Sequence, residues 1–189
     1  EFGNAVKKAY KPTLDNLWEN SPHTEIKAHG LAVGLPTDDD MGNSEVGHNA
    51  LGCGQIYSQG AKLVNENIET GEIFKTETWS GLVNNCKDGK MHFLGLLSDG
   101  NVHSHINHLK ALIKKAKEDG VKEVRVHALL DGRDVPETSA LTYVDDIEAY
   151  MSELNDDSFH ACIASGGGRM TITMDRYEAN WAMVEQGWH

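Results

Sequence analysis

The feature that most constrains the fold is a short apolar run followed by an amphipathic stretch, repeated three times from Met91 onwards. The apolar runs are MHFLGLLS (91–98), EVRVHALL (123–130) and FHACIAS (159–165). Runs of this length are typical of buried strands, and the first is apolar enough for a strand that is buried on both faces. The segments that follow them place apolar residues at helical spacing. This alternation predicts an α/β fold with a mainly parallel sheet.

The first part of the chain is less regular than the rest. A helical pattern from Ser44 to about Asn67 is interrupted by glycines, which predicts two helices with a turn around residues 54 to 60. The same glycines separate the irregular first part from the regular second part. We therefore predict two units, the first over residues 1–60 and the second over residues 61–189.

The charge and the cysteines limit the classes of partner. A formal net charge of −12 repels nucleic acid and anionic membranes, so we expect neither as a partner. Cys53, Cys86 and Cys162 are far apart and form no CxxC pair, which favours a reducing, cytoplasmic compartment. The sequence begins at Glu1 without an initiator methionine, and we expect it to be a piece of a longer protein.

Polar residues that follow the predicted strands are the first candidates for a site, because ligands bind at the carboxyl ends of strands in open parallel sheets. After the first strand, His103 stands where a helix N-terminus would meet an anion. We interpret Asp99 as a turn or helix-capping residue. His105 and His108 are expected to face solvent or to support the site from behind.

The second and third strands are followed by arginines. Arg133 can bind phosphate or carboxylate in a bidentate manner, and Asp134 can accept a proton from a substrate hydroxyl, although a surface ion pair at a turn explains both equally well. Three glycines (166–168) then precede Arg169, with Arg176 further on. Such glycines either let backbone amides approach an anion or form a flexible loop. Together these residues suit a small, doubly anionic substrate that carries hydroxyls, such as a phosphorylated carboxylic acid.

The stretch MGNSEVGH (41–48) contains a serine without a hydrophobic reason to be there. Ser44 could be a nucleophile, but its hydroxyl would need a base or a metal to activate it. Alternatively, Asn43 or Ser44 caps the helix that follows, and the two interpretations are compatible. The preceding aspartates, residues 38–40, are expected to be solvated rather than to form a metal cluster.

With these residues assembled, the sequence resembles the cofactor-independent phosphoglycerate mutases in four blocks: GLPTDDDMGNSEVGHNALGCGQ, LLSDGNVHSH, HALLDGRDVP and SGGGRMTITMDRYEANW. One departure is SDGNVHSH, where the family more usually has SDGGVHSH. The resemblance implies part of an alkaline-phosphatase-like domain followed by part of an inserted α/β transferase domain. It also implies a glycolytic isomerase that interconverts 3-phosphoglycerate and 2-phosphoglycerate, with a full-length protein that is a monomer.

The resemblance further implies roles for individual residues. Ser44 would ligate metal and accept the phosphoryl group as a phosphoserine intermediate, and Asp134 would handle the proton of the glycerate hydroxyl. Two divalent ions, Mn²⁺ or else Mg²⁺ or Co²⁺, would be held by further ligands outside this chain. The substrate-binding residues would be His103, Arg133, Asp134, Arg169 and Arg176.

Two predictions and two alternatives follow. Because most of the implied metal ligands are outside the sequence, we predict that the chain alone binds metal poorly and has no mutase activity. The alternatives are a non-catalytic module that binds phosphorylated ligands without serine chemistry, and a related metal-dependent phosphatase or phosphomutase.

Overall fold

The computed structural model describes residues 2–175 and 177–189. Within them, strands β1 (Met91–Leu97), β2 (Glu123–Leu130) and β3 (His160–Gly168) form a parallel sheet in the order β1-β2-β3. The predicted α/β fold with a parallel sheet is therefore confirmed, and β2 spans the predicted residues. β3 runs further than predicted, because the chain stays extended and paired with β2 beyond the apolar run.

Helices precede and connect the strands. The two helices predicted on either side of residues 54 to 60 are present, and a turn separates them. None of the helices in the described residues is long and apolar enough to cross a bilayer. Their bounds are α1 Ala5–Lys8, α2 Pro12–Asn20, α3 Ser44–Cys53, α4 Gly60–Glu69, α5 Glu77–Asn85, α6 Ile106–Glu118, α7 Ala140–Leu154 and α8 Trp181–Trp188, with short 3-10 helices at Gly30–Val33 and Glu72–Lys75 and a π-helix at Arg169–Thr173.

The main core lies against one face of the sheet. Val124, Val126 and Ala128 alternate along β2 and are at most 2% exposed. Ile113 of α6 and Ile147 of α7 pack into the same cluster and are fully buried. Burial of an isoleucine side chain contributes roughly 1.5–3 kcal/mol, so the hydrophobic effect fixes the helices on this face.

On the opposite face of the sheet, β1 is exposed among the described residues, so the prediction that β1 is buried on both faces is wrong. Leu94 is 73% exposed, and His92 also faces solvent. The Nδ1 atom of His92 lies 2.8 Å from Nε2 of His127 on the neighbouring strand. The difference arises because α5, α6 and α7 all contribute to the core on the other face, where the alternate residues of β1 point.

A separate, smaller cluster organises the segment before the sheet. It consists of Val33, Leu35 and Val46, the last of which belongs to α3. Gly34 is required here, because its φ is +85° and an added Cβ would lie 1.7 Å from the carbonyl oxygen of Tyr57. This close approach brings the chain after α3 back beside the cluster.

Candidate active site

A buried aspartate ties together the carboxyl ends of the three strands. Asp131, which follows β2, is 3% exposed. Its Oδ2 accepts a hydrogen bond of 2.6 Å from the hydroxyl of Ser98, which follows β1. Its Oδ1 accepts one of 2.9 Å from Nη1 of Arg169, which follows β3. The backbone N–H groups of Arg133 and Asp134 also donate to Oδ1, at 3.2 and 3.0 Å.

Arg169 links this aspartate to a second carboxylate. Its Nη1 also donates to Oδ2 of Asp134 at 2.7 Å, and the residue is only 5% exposed. We call Ser98, Asp131, Asp134 and Arg169 the polar hub. Buried polar groups are stable only when they are paired in this way.

The hub keeps its two buried ionisable members, Asp131 and Arg169, charged. Burial raises the pKa of Asp131, but hydrogen bonds from Ser98, backbone N–H groups and Arg169 outweigh it and hold the pKa below its ordinary value. Burial likewise lowers the pKa of Arg169, but Asp134 and Asp131 outweigh that effect and raise it. The hub is therefore a fixed arrangement of one cation between two carboxylates.

The glycine run before Arg169 is not a loop, so the interpretation as a flexible loop is wrong. Gly166 and Gly168 belong to β3 and pair in register with Ala128 and Leu130 of β2. Glycine is favoured here because an added Cβ at Gly166 would lie 3.0 Å from the carbonyl oxygen of Ala128, which is a tight contact. The glycines thus let β2 and the π-helix approach β3 closely, and they deliver Arg169 to the hub.

The loop after β1 carries His103 beside the hub. The side chain of His103 is 56% exposed, and its Nε2 lies 4.0 Å from Oδ2 of Asp134. The expectation that Asp99 caps the next helix is wrong. The N-cap of α6 is His105, whose Nδ1 accepts from the backbone N–H of Asn107 at 3.1 Å, whereas Asp99 accepts from the hydroxyl of Tyr143.

His108 lies one turn further along α6 and does not point freely into solvent. Its Nε2 is hydrogen-bonded to the side-chain oxygen of Asn65 in α4. Burial, followed by the neighbouring His105, lowers the pKa of His108. This histidine therefore joins α6 to α4 and does not reach the hub residues.

Ser44 is the first residue of α3, and the cap is Asn43, whose side-chain oxygen accepts from the backbone N–H of Val46 at 3.0 Å. The Ser44 side chain is exposed, and its Oγ lies 3.2 Å from Nδ1 of His48. That nitrogen is also 2.6 Å from the carbonyl oxygen of Ser44, which can only accept. Nδ1 of His48 is therefore a donor, and it is not placed to take the serine proton.

One cleft, with a volume of about 860 Å³, brings the serine and the sheet edge together. Ser44 and Asn43 line one side of it, and Met174 and Asn180 also reach it. Of the predicted site residues, Arg176 lies outside the described residues. The others all line this cleft: Ser44, His103, Arg133, Asp134 and Arg169.

Sequence reasoning missed the two other members of the hub. These are Ser98 and Asp131, and neither was assigned to the site from the sequence. A usable signal was present, because Ser98, Asp131 and Arg169 are each the first residue after a strand. In a parallel sheet those three positions meet at one edge.

The run of aspartates before Ser44 was expected to be solvated, and for Asp40 this is wrong. Its Oδ2 accepts from the backbone N–H and the hydroxyl of Thr37, at 2.7 and 2.8 Å. Its Oδ1 accepts from Nδ2 of Asn101 at 2.6 Å. Burial raises the pKa of Asp40, but these hydrogen bonds from Asn101 and Thr37 outweigh it and lower the pKa.

A bound metal ion would need several ligand side chains that lie close together. Among residues 2–175 and 177–189, no group of three or more histidine, cysteine, aspartate or glutamate side chains is arranged to hold one. Ser44 brings a single hydroxyl oxygen to the cleft, whereas Mn²⁺, Mg²⁺ and Co²⁺ each bind several ligands. The described residues therefore do not form a complete metal site.

Curated proteins that resemble this chain share one name. A probable 2,3-bisphosphoglycerate-independent phosphoglycerate mutase of Leptospira interrogans is 56% identical over all of this chain, which covers 35% of that protein. The corresponding mutase of Trypanosoma brucei is 50% identical over 98% of the chain, which covers 34% of its length. The chain thus spans about a third of the length of the curated relatives that it matches.

A solved structure shares the fold at similar coverage. The phosphoglycerate mutase of Leishmania mexicana, determined at low cobalt concentration, superimposes with a TM-score of 0.84 at 49% identity. The match covers 97% of this chain and 34% of the other. The family described as BPG-independent PGAM N-terminus matches residues 64–189. The chain therefore belongs to the family of the N-terminal region of 2,3-bisphosphoglycerate-independent phosphoglycerate mutases.

Proposed function

We propose that this chain supplies the serine and part of the substrate-binding surface of an enzyme that interconverts 3-phosphoglycerate and 2-phosphoglycerate. The observation that carries the proposal is the cleft in which Ser44 faces His103, Arg133 and Asp134. The names of the relatives, all phosphoglycerate mutases, support the same reaction. The substrate class is a small phosphorylated acid, which the cationic groups of this cleft would bind.

The proposed reaction proceeds through a phosphoserine. In the first half, Oγ of Ser44 attacks phosphorus, the bond to the C3 oxygen of the substrate breaks, and that oxygen gains the proton equivalent that the serine loses. In the second half, the C2 hydroxyl gives its proton to the Asp134 carboxylate while its oxygen attacks the same phosphorus and the bond between phosphorus and Oγ of Ser44 breaks. Asp134 then gives up that proton and Oγ of Ser44 regains one, so atoms and charge balance over the cycle.

The cationic groups would share the substrate between them. Arg133 is exposed in the cleft and can turn its guanidinium towards the acid, and His103 lies on the same side. Arg169 is buried, and its Nη1 donates hydrogen bonds to Asp131 and Asp134. Its main contribution to substrate binding would therefore be to orient Asp134. Substrate binding by Arg176 stays a prediction.

A metal would have to come with ligands from outside this chain, because the described residues do not form a complete site. Mn²⁺, Mg²⁺ and Co²⁺ remain the predicted ions. We expect manganese to bind this chain weakly when it is titrated by calorimetry. Micromolar affinity for the isolated chain would contradict that expectation.

We also propose the domain assignment and the setting of the protein. A first unit of alkaline-phosphatase type would end near residue 60, and a transferase unit would follow, which is supported by a family match that begins at residue 64. A cytoplasmic location is supported by three free cysteines: Cys53, Cys86 and Cys162. We further propose that the complete protein is a monomer.

The test compares the complete protein with its Ser44→Ala variant. We expect wild type to form 2-phosphoglycerate from 3-phosphoglycerate and to carry phosphate on Ser44, as detected by mass spectrometry. Ser44→Ala should lose both, whereas Ser58→Ala, a nearby serine that does not line the cleft, should lose neither. Full activity of Ser44→Ala would refute the proposal. Release of inorganic phosphate would indicate a phosphatase, and binding without turnover would indicate a non-catalytic module.

A further inference from the structure

Asn101 adopts a backbone conformation that residues with a side chain rarely take. It lies in the loop between β1 and α6, and its φ is +56°. Asparagine tolerates this left-handed region better than most residues, but it still does so only where other contacts stabilise it. The contact here is the 2.6 Å hydrogen bond from its Nδ2 to Oδ1 of Asp40.

Asp40 is anchored in the segment that carries the serine, four positions before Ser44. Its other oxygen is held by two donors from Thr37, and its backbone oxygen accepts from the N–H of Gly30 at 3.1 Å. The carboxylate is therefore a fixed acceptor of that segment. A partner bound to Oδ1 is consequently fixed relative to the start of α3.

Asn101 is anchored on the other side, beside the polar hub. The neighbouring Gly100 packs against Asp134 so closely that an added Cβ would lie 3.0 Å from the Cβ of Asp134. The backbone N–H of Gly100 also donates to Oγ of Ser98 at 3.3 Å. The Asp40–Asn101 hydrogen bond therefore connects the serine segment, which runs from Asp40 into α3, to the loop beside the hub.

We infer that Asp40 and Asn101 form a latch that sets the distance and orientation of Ser44 relative to Asp134 across the cleft. This inference rests on the proposed function, in which Ser44 exchanges the phosphoryl group with a substrate whose C2 hydroxyl gives its proton to Asp134. Both latch residues are positioning residues, because neither lines the cleft that contains Ser44 and Asp134. Arg133 and His103 would bind the substrate, and both lie in loops that follow strands of the sheet. Loss of the latch should therefore lower turnover more than substrate affinity.

The serine segment is weakly held without this bond. The only buried residue of α3 is Val46, and it packs in a cluster with only two other buried residues, Val33 and Leu35. Segments with few buried contacts open locally at low cost in free energy. Loss of one charge-assisted hydrogen bond should therefore be measurable in α3.

Hydrogen exchange of this chain tests the latch directly. Asn101→Gly removes the side chain while glycine accepts the positive φ. We expect the amides of α3 to exchange about fivefold faster, equivalent to about 1 kcal/mol, with those of β2 unchanged. The matched control is Glu178→Gly, which replaces another residue whose φ is +56° and should leave α3 unchanged. In an Asp40→Ala background, Asn101→Gly should add nothing further.

Turnover of the complete protein completes the test. Asn101→Gly should lower kcat about fivefold and leave KM within about twofold, which a purely structural defect would not separate. Unchanged exchange in α3, or faster exchange with unchanged kcat, would overturn the latch. If wild type lacks mutase activity, the proposed function fails, and the exchange data alone still decide whether the bond holds α3.

Discussion

Replacement of Arg169 by methionine is the sharpest test of the polar hub. The substitution keeps an unbranched side chain but removes the guanidinium between Asp131 and Asp134. The side chain of Asp131 is 1% exposed, so water cannot solvate the carboxylate that is left behind. The side chain of Asp134 is 15% exposed and can recover some hydration. The cost therefore falls mainly on Asp131.

The size of the effect follows from what Asp131 retains. Removal of one partner from a buried ion pair typically costs about 3–5 kcal/mol. Asp131 keeps the Ser98 hydroxyl and two backbone N–H donors, which places the loss at the lower end, about 3 kcal/mol. For a protein of this size, that loss lowers Tm by roughly 6–12 °C.

Urea unfolding near pH 7 measures the loss, and its pH dependence identifies the cause. The pKa of Asp131 lies below 3.8 in the folded protein, so its contribution is present above that pH and is lost as pH falls through the folded pKa. Without Arg169 the pKa of Asp131 rises. The difference between variant and wild type should therefore be largest near neutrality and should shrink as the pH falls below 3.8, through the lowered pKa of Asp131 in the wild type.

Two further variants decide whether the reasoning is right. Arg133→Met removes an exposed guanidinium at the same edge and should change stability by no more than about 0.5 kcal/mol. Asp131→Asn combined with Arg169→Met removes the stranded charge and should regain part of the loss. A loss below about 1 kcal/mol for Arg169→Met, or no recovery in the double variant, would refute a charge-coupled hub.

Other predictions concern packing, titration and backbone strain. Ile113→Ala opens a cavity at a fully buried site and should cost about 2–5 kcal/mol by urea unfolding, whereas Leu94→Ala should cost about 0.5 or less. Burial, followed by Asp99, raises the pKa of Tyr143 to about 12, so Tyr143 should ionise late in an ultraviolet titration, and stability linked to it should be lost as the pH rises from about 10 to 12. Gly34→Ala should speed proteolysis of the segment before the sheet and leave the sheet protected.

Local chemistry allowed several elements to be predicted from the sequence. β2 alternates buried and less buried residues, so its bounds could be read directly. The start of α3 follows from Asn43, whose short side chain satisfies a free backbone N–H. Arg133, Asp134 and His103 were found because they follow strand ends in the sequence.

Features that depend on distant partners could not be predicted. Nothing local marks Gly166 as a strand residue, because its place is set by pairing with Ala128. Asp131 is followed by glycine and looks like a turn, and its role depends on donors from two other strand ends. The positive φ of Asn101 has meaning only together with Asp40, 61 residues away.

The span of the hub's bonds also has a kinetic consequence. The Ser98–Asp131 bond closes a separation of 33 residues and the Arg169–Asp131 bond one of 38, the same intervals that the two crossover helices bridge. Chain entropy opposes such closures until the strands themselves have paired. The polar hub should consequently assemble late during folding. A nascent chain in which β3 has not yet been synthesised cannot form it.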